Sequence, residues 1–149
     1  MQKLILPFFV AFALFATPTF SNAQCSDGEL TVEIVVNTDN YSGELYWALV
    51  PSGELCGEGE VLLSGGNLNV GCDFNGGGAT PGADYWNNDS FVTELICVTS
   101  GTQLDLIHVD DYGDGGTDFI VLIDGVQTQF LDGTGYGNTF VIDVSNDGL

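Results

Sequence analysis

Residues 110–118 (DDYGDGGTD) crowd four carboxylates and three glycines into nine positions. Like charges this close repel one another, to a degree set by how well water and salt screen them. A hard cation removes that cost, and calcium takes six to eight oxygens from acidic loops bent by glycine. Asp110, Asp111, Asp114 and Asp118 are therefore candidate calcium ligands. Asp110, Asp114 and Gly115 fall at the first, fifth and sixth positions of an EF-hand loop. Tyr112 stands where the third ligand belongs, and Val121 where the closing Glu belongs. The segment is thus no EF-hand, and calcium would be held on another scaffold. Magnesium suits it less, because it keeps more of its water. The alternative is a plain tight turn, which Asp and Gly favour by themselves.

Other chemistry is sparse. The single histidine, His108, lies in an apolar run and reads as a packed strand residue more than a general base. No pair among the 21 acidic residues is marked out for glycoside cleavage. The expectation is a protein that is not an enzyme. Tyr85 and Trp86, in a glycine-rich stretch, are candidate ligand-binding residues, since an exposed aromatic face can stack on a sugar ring. Against that, Trp86 could pack the stretch down, as Trp47 would pack in the core.

Charge narrows the partners. All 21 acidic residues follow residue 23, and Lys3 is the sole basic residue, so residues 24–149 carry a formal charge of −21 with His108 neutral. No Lys or Arg ion pair can form there. Nucleic acid and anionic membrane surfaces are repelled, whereas divalent cations are attracted.

Residues 1–23 read as a signal peptide: Lys3, an apolar run over 4–15, then Ser21-Asn22-Ala23 before the cut. Gln24 does not suit a lipid-anchored Cys25. The run is too short for a lasting membrane span, and no second one follows, so membrane insertion is not expected. Cys25, Cys56, Cys72 and Cys97 form an even set in an exported chain. That predicts two disulfides, with three pairings open.

The elements that must position these residues are short β-branched and aromatic runs separated by Gly, Asn and Asp. Strands are expected over 30–37, 44–50, 61–63, 89–98, 102–109, 118–123, 126–131 and 139–144, with a short one near 68–70. Asp124-Gly125 is a hairpin signal. Alternation in 30–36 predicts one dry and one wet face, and the apolar run 118–123 predicts a central strand. Residues 64–88 read as a long loop that Cys72 staples down. The fold class is all-β: a single antiparallel β-sandwich or jelly-roll of about seven or eight strands, spanning 24–149.

Three segments, ELICVTSG (94–101), VDDYGDG (109–115) and FIVLIDG (119–125), together resemble a module common in secreted proteins of Bacteroidetes-type bacteria. Its pattern is a Cys-x-x-x-Gly turn, a strand, an Asp-x-Tyr-Gly-Asp-Gly loop, a strand and an Asn/Asp-Gly turn. Residues 40–49 resemble its opening hairpin. The likeness covers about 31–144 in order and is specific around 112–115. It implies a β-sandwich that binds or assembles. The module often carries a cysteine pair after Gly-Asp-Gly, where this chain has Gly116-Thr117, so its disulfide pairing does not transfer.

The sequence therefore predicts a secreted, calcium-binding β-sandwich for extracellular or cell-surface adhesion or assembly. Its partner would be a glycan, a protein or further copies of itself. Two alternatives are a carbohydrate-binding module using Tyr85 and Trp86, and the structural subunit of an extracellular filament built through exposed strand edges.

Overall fold

A computed structural model describes residues 25–73 and 86–145. Residues 1–23, read from sequence as a signal peptide, and Tyr85 lie outside the described residues. Among the described residues, nine strands form: β1 (Glu29–Asn37), β2 (Leu45–Pro51), β3 (Leu63–Gly66), β4 (Ser90–Val92), β5 (Ile96–Thr99), β6 (Thr102–Asp110), β7 (Thr117–Ile123), β8 (Val126–Gly133) and β9 (Gly137–Val144). They make two antiparallel sheets packed face to face. The first runs β4-β1-β7-β8, with β5 also on β1; the second runs β3-β2-β6-β9. The expected all-β sandwich is what the chain adopts.

The alternation read in β1 carries through. Leu30, Val32, Ile34 and Val36 face the interior, and the residues between them are half-buried on the other face. Across the sandwich they meet Leu45, Trp47, Leu49, Leu104, Leu106 and Ile142. Trp47 and Phe119 touch edge to face, with ring centres 6.3 Å apart, near the middle of this core. β7 lies between β1 and β8, as its apolar run predicts. Asp124 and Gly125, both at positive φ, close the β7–β8 hairpin between the paired Ile123 and Val126. Those signs are what a two-residue type I′ turn needs.

Three expected elements fall elsewhere. The run 89–98 is two strands, because three steps along β1 (Val35 to Val32) match four along the edge (Val92 to Ile96). The extra residue bulges out, and Thr93 bridges the gap by exchanging hydrogen bonds with Ile34. Residues 68–70 are a turn rather than a strand; Asn67 Oδ1 accepts from the Asn69 amide, and the Val70 amide donates to the Asn67 carbonyl. The strand read at 61–63 begins only at Leu63. The opening pair is also no hairpin: β1 and β2 belong to different sheets, and residues 38–44 carry the chain across.

The cysteines pair as Cys25–Cys97 and Cys56–Cys72. The second bridge holds residues 67–73 against the outside of the second sheet. There Val70, Cys56 and Cys72 cover Tyr46, Ala48, Val50, Ile107 and Val109. The first ties residue 25 to β5 near the turn at 99–102. The Ser100 amide donates to Gly28 and the Gly101 amide to Val144, so both ends of the described chain meet at this turn.

Candidate metal centre

Three connections that cross between the sheets gather at one end of the sandwich: 38–44 from β1 to β2, 111–116 from β6 to β7, and 134–136 from β8 to β9. The ladder that pairs Leu45 with Asp110 runs one step further, where the Asp111 amide donates to the Glu44 carbonyl at 2.9 Å. That bond sets Glu44 against the start of the acidic loop. One carboxylate oxygen each from Glu44, Asp110 and Asp114 then lie within 4.8 Å of one another. Among the described residues, this is the group of acids whose oxygens converge.

Asp110 organises its own loop. Its Oδ1 accepts from the Tyr112 and Gly113 amides at 2.9 and 2.5 Å, and its Oδ2 from the Gly115 amide at 3.0 Å. A carboxylate has about four lone-pair sites, so about one remains for a cation. Burial pushes the Asp110 carboxyl above its usual range, and the nearby Asp114 charge adds to this; the three amide bonds pull the other way. Glycine is required in this loop. Gly113 has φ +90°, with the Tyr136 ring where a Cβ would sit, and Gly115 has φ +78°, with the Gly133 carbonyl 2.7 Å from that position.

Of the four aspartates expected to bind calcium, the fold brings together Asp110 and Asp114 and adds Glu44. Asp111 is buried alongside but is not one of the three converging acids. Asp118 sits on β7 opposite Asp132 of β8, away from the group. Burial raises the Asp118 carboxyl, and the Asp132 charge and hydrogen bond raise it further. Glu44 escapes a sequence reading because it lies 66 positions before Asp110 and joins it only through β2–β6 pairing.

Two oxygens on opposite sides of one calcium are about 4.6–5.2 Å apart, twice its bond length, against about 4.0–4.2 Å for magnesium. Oxygens that all lie within 4.8 Å of one another are close enough to share one ion of either kind. Glu44 and Asp114 also line a cleft of about 400 Å³ with Tyr41 and Tyr112. Tyr41, Tyr112, Tyr136 and Trp86 are all exposed. Trp86 is tied to this end by its carbonyl, which accepts from Thr38 Oγ1 at 2.6 Å, yet the residue is 76 % exposed. Trp47, by contrast, is core.

His108 lies just below, 1 % exposed, with its ring against Phe119 and its Nδ1 3.4 Å from Asn138 Oδ1. Its Nε2 has no hydrogen-bond partner among the described residues. Burial holds its pKa below the usual value, against the Asn138 bond and the Asp132 charge. A neutral, enclosed imidazole fits the packed role read from sequence.

Comparison with known protein families, with characterised proteins and with solved structures returns no match to this chain.

Proposed function

We propose that this chain is an exported calcium-binding module that uses its acidic, aromatic-rimmed end for extracellular adhesion or assembly. The observation that carries the reading is the convergence of oxygens from Glu44 and Asp114, on two separate crossovers, and from Asp110 at the end of β6. An ion there would clamp those crossovers, and so the two sheets. No lysine or arginine in residues 24–149 can do that work instead. The two disulfides are those of a protein from an oxidising environment, which suits an extracellular site of action. Native mass spectrometry of the disulfide-bonded chain tests the reading. One calcium per molecule is expected, lost in Glu44→Gln. A chain that stays metal-free at millimolar calcium would sink it.

A carbohydrate ligand at this end is a second reading, favoured by the exposure of Trp86, which Thr38 tethers to this end. Glycan-array binding that disappears in Trp86→Ala, with the fold intact, supports it. Equal binding by that variant refutes it.

A further inference from the structure

The outer faces of the two sheets are treated differently. The chain covers its own apolar residues on the second sheet with the Cys56–Cys72 loop. On the first sheet, four apolar residues stand in one unbroken rung. Val92 pairs with Val35, Val35 with Ile120, and Ile120 with Phe130, across β4, β1, β7 and β8. Residues directly opposite share a face, so all four side chains project outward. The rung is about 14 Å wide, three strand spacings. Its edges are bare, with Val92 62 % and Phe130 57 % exposed.

Carboxylates flank the rung on both sides. Two residues along one way lie Asp118 and Asp132, cross-strand neighbours; two residues the other way on β1 lies Glu33. Burial, and after it the Asp132 charge and hydrogen bond, hold the Asp118 carboxyl up.

We propose that this face docks a basic polypeptide segment whose apolar side chains lie between lysines or arginines. Apolar side chains would cover the rung while cations meet Asp118, Asp132 and Glu33. The chain has no lysine or arginine after residue 3, so any cationic side chain that pairs with these acids comes from outside it. A neutral apolar partner would desolvate the carboxylates without pairing them, which is costly. A second copy would bring like charges together, and nucleic acid or anionic lipid is repelled for the same reason.

The test is an amide-NMR titration of the disulfide-bonded chain with a short synthetic peptide alternating lysine and leucine. Peptides alternating lysine with serine and glutamate with leucine serve as controls. Shifts from the lysine–leucine peptide should centre on Val35, Ile120 and Phe130. Phe130→Ser should weaken binding about tenfold, as expected for losing one buried aromatic contact. Val92→Thr, at the opposite edge, should weaken it in the same direction and covers the case in which Phe130→Ser fails to fold. Val141→Thr, on the other sheet's exposed strand β9, should leave it unchanged. Equal affinity for the lysine–serine peptide overturns the proposal, as does an unchanged Kd in Val92→Thr. Self-association through this rung in the absence of peptide also overturns it.

Discussion

Neutralising Asp114 should move stability in opposite directions with and without calcium. In the metal-free protein, carboxylate oxygens up to 4.8 Å apart repel by roughly 3.5 kcal/mol per pair at an effective dielectric constant of about 20. Asp114 is exposed, so water and salt cut its share to about 1 kcal/mol or less. Asp114→Asn should therefore raise Tm in a strong chelator by roughly 2–4 °C. With the proposed site filled, calcium at about one hundred times its Kd should stabilise the wild type by about 2.7 kcal/mol, or roughly 10 °C for a domain of this size. The variant forfeits most of that gain. Thermal melts followed by circular dichroism, in chelator and in millimolar calcium, should show the two proteins changing rank. A wild type whose Tm ignores calcium, or a variant less stable than wild type in chelator, refutes the electrostatic reasoning.

Gly115→Ala should cost more than about 2 kcal/mol, because it combines a left-handed backbone with a clash against the Gly133 carbonyl, whereas Gly125→Ala, with the same sign of φ but open space, should cost about 1 kcal/mol. Urea denaturation of the two variants measures the difference. Because the folded pKa of His108 is depressed, its contribution to stability is present above the unfolded value of 6.5 and is lost as pH falls through the folded value. In chelator, the wild type should lose Tm below pH 6.5 relative to His108→Leu; parallel curves for the two proteins count against a buried neutral imidazole. Removing Cys25–Cys97, which spans 72 residues, should destabilise more than removing Cys56–Cys72, which spans 16; loop entropy gives about 4.4 against 3.1 kcal/mol. Denaturant midpoints of the paired Cys→Ser variants test the order.

What the sequence made legible was local. The period-2 pattern of β1 and the Asp-Gly hairpin each depend on a few neighbouring residues, and both appear where expected. The break at Thr93 was not legible, because it arises from register against β1 and leaves no mark in an apolar run. The acidic loop was readable as a cluster, but its geometry was not. Glu44 joins it through a ladder between segments far apart in the chain, while Asp118 leaves it because β7 begins at Thr117 and turns that side chain onto the outer face. Trp86 is tethered to Thr38 by a contact that spacing alone does not reveal.

The meeting of residues 25 and 145 at the 99–102 turn gives the molecule a polarity. Residues 25 and 145, the ends of the described chain, lie at the pole opposite Glu44, Asp110 and Asp114. A tether there would leave the carboxylate pole pointing outward, unobstructed by its own attachment. Pulling on residues 25 and 145 would load that one turn, together with Cys25–Cys97, before any force reached the distant loops.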